Sequence, residues 1–126
     1  NYDRTWTGKG HPWALLSGER GQYELSLAEV INKLNFSESI RQSGQSKSFK
    51  AISDNRLAMI EELRKSAMQR LETMSKFAND GMMIPEQVWS QNNGVFPFGE
   101  GAGSATPLAW SMAQFIRLAI NLKAGK

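Results

Sequence analysis

The residues best equipped for chemistry lie in Met83-Ile84-Pro85-Glu86-Gln87-Val88-Trp89, where a carboxylate, an amide and an indole fall within four positions. Pro85 fixes the backbone immediately before Glu86, so the carboxylate belongs to a stiff connection and not to a solvated helix face. Trp89 offers a flat apolar surface with one N–H donor, a shape suited to packing against a sugar ring. Further carboxylates stand in other loop-like stretches, Glu19 in Ser17-Gly18-Glu19-Arg20-Gly21 and Glu100 after Gly99. Two carboxylates flanking a glycosidic bond are the minimal machinery of a glycosidase, and Trp6, Trp13, Trp89 and Trp110 are candidate sugar platforms. Against this stands an ordinary reading in which each tryptophan is a packing residue and each glutamate a solvated surface group.

Other chemistries are limited by composition. The 126-residue chain is the size of one domain and has no cysteine, which rules out disulfides and thiolate catalysis. With one histidine, His11, a zinc or iron site would rest almost wholly on carboxylates, and no metal or other cofactor is expected. The formal charge of +3 comes from cations such as Arg56, Arg64, Lys65 and Arg70 interleaved with Glu61, Glu62 and Glu72. That pattern is a solvated helix face, so nucleic acid is not an expected partner. No apolar run reaches the roughly 18 residues of a membrane span. Gly8 and Gly10 lack the preceding strand and the complete glycine pattern of a phosphate loop.

The elements that position these residues read as helices. Pro12-Trp13-Ala14-Leu15-Leu16 begins as a short helical segment, Ser17–Gly21 interrupts it, and a helix is expected from about Gln22 to Leu34. Residues 35–55 are rich in serine and read as a surface loop or insertion. The strongest periodicity follows, with Leu57, Ile60, Leu63, Ala67, Leu71, Met74 and Ala78 forming one stripe of a helix over about Asn55–Asn79. Asp54 or Asn55 is its expected cap, Gly81 its expected terminator, and its methionines are expected core filler. Residues 96–107 form a long connection expected to be ordered and packed. A last helix spans about Leu108–Leu122, with Thr106 as cap and Pro107 in its first turn. That helix is apolar most of the way round, which implies neighbours beyond the two other helices. No stretch alternates like a strand, so the expected class is all-α.

Four ordered segments carry a resemblance. They are Gly10-His11-Pro12-Trp13-Ala14-Leu15-Leu16-Ser17-Gly18-Glu19-Arg20-Gly21-Gln22-Tyr23-Glu24-Leu25, the Met83–Trp89 stretch, Gly99-Glu100-Gly101-Ala102-Gly103-Ser104-Ala105-Thr106-Pro107-Leu108-Ala109-Trp110-Ser111, and Ala113-Gln114-Phe115-Ile116-Arg117-Leu118. In order and spacing they resemble the C-terminal part of bacterial glucoamylases and glucodextranases, glycoside hydrolase family 15. The resemblance covers nearly the whole chain outside Asn35–Asn55. It implies an incomplete section of an (α/α)6 barrel, residues 1–126 being a C-terminal fragment of a catalytic domain. It also implies an inverting, exo-acting hydrolysis of α-glucans from non-reducing ends that releases β-glucose.

Residue by residue, the resemblance assigns the general base to Glu86. It places Trp110 near the reacting sugar. Trp89 is expected in substrate contact, Glu19 and Arg20 at the site wall or supporting it, and Gln87 in a hydrogen bond that fixes the loop. The family's general acid belongs to an earlier segment that nothing here matches, and Glu100 sits in the wrong motif to replace it. The implied partners are an α-glucan or oligosaccharide substrate and the missing N-terminal portion of the same barrel. A parent acting on polysaccharide is expected to be secreted or periplasmic. The competing reading is a non-catalytic carbohydrate-binding or interaction module using Trp89, Trp110 and Phe96–Phe98. The carboxylate on a stiff loop separates the two, since only an enzyme requires it.

Overall fold

The computed structural model describes residues 11–33, 46–92 and 94–125, with the backbone alone described for 46–53. Its order is α1 (Ala14–Lys33), α2 (Ser46–Lys76) and α3 (Ala109–Lys123), with α1 packed on both other helices and α2 and α3 also touching. Among the described residues there is no strand, only two isolated antiparallel bridges, Trp13 with Gln87 and Val88 with Gly101. The class is all-α.

The first departure from expectation is that α1 runs unbroken through Ser17–Gly21. Glycine in a helix interior costs about 1 kcal/mol relative to alanine, so locally these residues argue for a break. Tertiary packing overrides that preference. Gly18 and Gly21 share a buried face with Ala14, Leu25 and Ala28, and the other helices approach where side chains are missing. A Cβ on Gly18 would stand 2.8 Å from the Cβ of Gln114 and 3.0 Å from the Sδ of Met74, while one on Gly21 would stand 2.7 Å from Cδ2 of Leu118. Gly18 is therefore a point at which α1, α2 and α3 meet.

Two apolar clusters extend from this junction. Ala14, Met74 and Ile84 form one, backed by Phe77, Ala78, Met112 and Phe115. Leu25, Ala67 and Leu118 form the other, flanked by Leu71 and Leu122. The expected α2 stripe is realised at Ile60, Ala67 and Met74, each buried and one heptad apart. Met74 is core filler as expected. Met59 and Met68 are not, being 45% and 44% exposed.

The helix ends also correct the sequence reading. α2 begins at Ser46, so residues 46–55 are helix and not loop, while 34–45 lie outside the described residues. Asp54 and Asn55 are exposed positions inside α2 and cap nothing. Its C-terminal turn is built by Asn79, whose Oδ1 accepts N–H bonds from Gly81 and Met83, each 3.0 Å long. The left-handed residue there is Met82 (φ 59°), not Gly81. At α3 the cap position is Leu108, in extended conformation and without a side-chain cap. Thr106 instead turns its hydroxyl to the Ser104 carbonyl at 3.4 Å, and Pro107 precedes the helix.

Candidate functional site

Residues 84–89 run between two other stretches of irregular backbone, and the ladder that results fixes Glu86. Every backbone N–H from Glu86 to Trp89 is bonded: to Ala105 O (2.9 Å), Ser104 Oγ (3.1 Å), Pro12 O (3.0 Å) and Glu100 O (2.8 Å) in turn. Three of the carbonyls are bonded as well. Glu86 O accepts from the Ala14 N–H (3.2 Å), Gln87 O from Ala102 (3.0 Å) and Trp89 O from Gly99 (3.0 Å). Each such bond contributes about 0.5–1.5 kcal/mol net, and together they leave the segment little freedom. The long 96–107 connection is the outer half of this ladder, which explains why it is ordered.

The segment is anchored from beneath by burial. Ile84 and Val88 are 2% and 0% exposed, and Pro85 is fully buried beside them. Ile84 accepts the Leu108 N–H at 3.1 Å and places its own N–H 3.4 Å from Met112 Sδ. Pro85 O accepts the buried Ser111 hydroxyl at 3.1 Å. Between these anchors Glu86 and Gln87 are half-buried, so a charged head group there is held on a fixed backbone while keeping access to water. The stiff loop expected around Pro85 is present. Its stiffness comes less from the proline ring than from α3 and the 99–105 segment.

The expected site residues are not all gathered here. Glu86, Gln87 and Trp89 share the ladder, and Gln87 holds it through its backbone. Trp89 is half-buried, stacked on Phe96 at 4.9 Å with 4° between planes, and meets the His11 ring edge-on at 4.6 Å. One of its faces is thus occupied by protein. Trp110, in the first turn of α3, is 56% exposed. It follows Leu108 and precedes Ser111, both bonded to the Ile84–Pro85 backbone, so its helix end is tied directly to the Glu86 segment. Trp13 pairs with Gln87 across a bridge, and Trp6 lies outside the described residues.

Arg20 points elsewhere. Its Nε is 3.0 Å from Glu24 Oε1 and its guanidinium lies over Tyr23 at 5.1 Å. Glu24, 2% exposed, also takes Arg70 of α2 at 2.9 Å. Burial pushes the Glu24 carboxyl upward, but hydrogen bonds from Arg70, Arg20 and Ser66 and the Arg70 charge outweigh it and hold the group below its ordinary range. This trio lines a groove of about 390 Å³ between α1 and α2, which none of Glu86, Gln87, Trp89 or Trp110 lines. Glu19 is half-buried on the same helix. Sequence reasoning passed over Glu24, although an acidic residue four positions after Arg20 and beside buried Leu25 signals a held carboxylate. It also passed over Ser104 and Ser111, whose roles depend on long-range partners.

The family model for Glycosyl hydrolases family 15 matches residues 2–120. This chain belongs to that family. A relative of the family 15 chain, the protein named "Glucoamylase" from Clostridium sp. (strain G0005), is 30% identical over 111 residues, which is 88% of this chain. The matched region is 10% of the relative's length, so this family 15 chain spans about a tenth of the curated protein it matches. Membership sets the described helices α1, α2 and α3 within an (α/α)6 barrel family. No helix among the described residues is long and apolar enough to cross a membrane.

Proposed function

We propose that residues 1–126 are a C-terminal section of an inverting, exo-acting α-glucosidase of the glucoamylase type, and that Glu86 is its general base. The observation that carries this reading is the two-sided backbone clamp on a half-buried glutamate. A base must hold its water within hydrogen-bond reach, and a fixed backbone supplies that geometry before substrate arrives.

In this mechanism the ionised Glu86 carboxylate accepts a proton from water as the water oxygen bonds to the anomeric carbon. Attack comes from the face opposite the departing glycosidic oxygen. That bond breaks as a carboxylic acid on another part of the barrel protonates the leaving oxygen, and the product is β-glucose. The two carboxyl groups of an inverting pair stand about 6.5–9.5 Å apart to admit the water. Trp110, exposed beside the clamped segment, contacts the reacting sugar. Trp89 closes the wall, with Gln87 as loop support. Glu19 and Arg20 then act at a distance, through the α1–α2 joint. The substrate is an α-glucan or oligosaccharide, and the acid comes from the remainder of the same barrel.

The test is Glu86→Gln in the full-length enzyme, assayed for glucose release from maltooligosaccharides and from α-glucosyl fluoride, whose leaving group needs little proton assistance. Loss of on the order of 10²–10⁴ in kcat on both substrates is the expected result for a missing base. A variant that keeps its rate on both removes Glu86 from the chemistry, and a wild-type product that starts as α-glucose removes the inverting mechanism.

A further inference from the structure

We propose that Ser111 is a positioning residue for the reaction, setting the orientation of Glu86 from the first turn of α3. The proposal rests on the reading of Glu86 as the base.

The argument begins with the peptide group between Pro85 and Glu86. Its carbonyl oxygen and its N–H belong to one rigid plane, because the C–N bond does not rotate freely. Ser111 Oγ donates to the oxygen of that plane at 3.1 Å, and Ala105 O accepts from its N–H at 2.9 Å. The plane is therefore held at opposite edges by different parts of the chain. The next plane is held through Glu86 O, which accepts from Ala14 N–H at the start of α1. Fixing both planes fixes φ and ψ of Glu86, and with them the direction in which its Cβ leaves the backbone.

The second plane is also held through the Gln87 N–H, which donates to Ser104 Oγ at 3.1 Å. Ala105 and Ala14 contribute backbone groups, so Ser111 and Ser104 are the anchors that act through side chains that mutation can remove. Ser111 is the buried one of the two and the one that holds the plane entering Glu86. Ser111 is 0% exposed, so no solvent replaces its hydroxyl, and its sequence neighbour Trp110 is the proposed sugar contact. One turn of helix thus sets the base and that tryptophan relative to each other. Misplacement of a catalytic group by about 1 Å can lower a rate about 100-fold, so a tilt of this plane is enough to be read in turnover.

The experiment compares Ser111→Ala, Ser111→Cys, Ala67→Gly and Glu86→Gln in the full-length enzyme, with kcat and KM on maltooligosaccharides and a thermal melt for each. Ala67 is buried in α2 away from the clamp and reports what loss of stability alone does to activity. Ser111→Ala is expected to lower kcat about tenfold with KM unchanged within about twofold, Ser111→Cys to recover part of the loss through its weak S–H donor, and Ala67→Gly to leave kcat intact. If Ser111→Ala fails to melt cooperatively, Ser111→Cys against wild type is read in the same way. An unchanged kcat, a change carried mainly by KM, or an equal fall in Ala67→Gly overturns the proposal while an inactive Glu86→Gln leaves the base in place. An active Glu86→Gln overturns both.

Discussion

Glu24 of α1 and Arg70 of α2 form a part-buried ion pair 46 residues apart in sequence, with Arg70 Nη2 2.9 Å from Glu24 Oε1 and Arg70 Nε 3.0 Å from both carboxylate oxygens. With Arg20 closing from the same helix, it joins α1 and α2 by charge. Removing the carboxylate leaves two cations facing each other across the joint.

Stability should therefore depend on pH through Glu24. Its folded pKa lies below the unfolded value, so the stabilisation is complete above the unfolded carboxylate pKa of about 4.3 and is lost as pH falls through the folded pKa. Glu24→Gln should cost about 1–3 kcal/mol at pH 7, limited by the partial exposure of both arginines. Denaturant melts of wild type and variant at pH 7, 5 and 3 check the sign. The gap should close at the acid end, and a gap that stays constant with pH refutes the linkage.

Gly18 and Gly21 should respond differently to alanine. At Gly21 the new methyl meets the branched end of Leu118, whereas at Gly18 it meets the Cβ of Gln114, which cannot rotate away. Alanine also gains about 1 kcal/mol of helix propensity at each position. The expected order is a small net change for Gly21→Ala and a loss of about 1–3 kcal/mol for Gly18→Ala. Equal thermal stability of the two variants would contradict the close α1–α3 approach at Gly18.

The two tryptophans should separate binding from stability. Trp110→Ala removes an exposed ring, so kcat/KM should fall at least about tenfold while the melting temperature barely moves. Trp89→Ala breaks contacts to Phe96 and His11 and should cost about 0.5–1.5 kcal/mol for the aromatic pairing, plus buried area. Titration with a maltooligosaccharide alongside thermal scans distinguishes them. If only Trp89 affects affinity, Trp110 is not the sugar contact.

The 126 residues expressed alone should self-associate or partly unfold. Leu16, Tyr23 and Val30 recur every seven residues along α1 and are 55%, 56% and 55% exposed, and Trp110, Ile116 and Ile120 of α3 are 56%, 53% and 60% exposed. Apolar stripes of this extent are normally covered. Sedimentation that gives a monodisperse monomer, with a single cooperative melt, would show that nothing needs to cover them.

Helix periodicity was legible wherever one stripe faces one core. Ile60, Ala67 and Met74 of α2 lie where the spacing put them. The Met83–Trp89 stretch was legible too, because residue type and order are properties of sequence. The helix ends were not. Asp54, Asn55, Gly81 and Thr106 all carry the local chemistry of a boundary, yet none supplies it, since tenths of a kcal/mol in propensity yield to packing over a full helix face.

By itself, then, the sequence determined the all-α class, the family and the identity of the carboxylate on offer, because period, composition and motif order need no partners to be read. Tertiary structure alone decided that α1 passes through Gly18 and Gly21, that Glu24 pairs with Arg70, and that Ser111 holds the Pro85 carbonyl. Each of these depends on groups from 26 to 97 positions apart being brought within hydrogen-bond or van der Waals distance. Contacts of that kind arise only when helices close on one another, and no local window of sequence contains both partners.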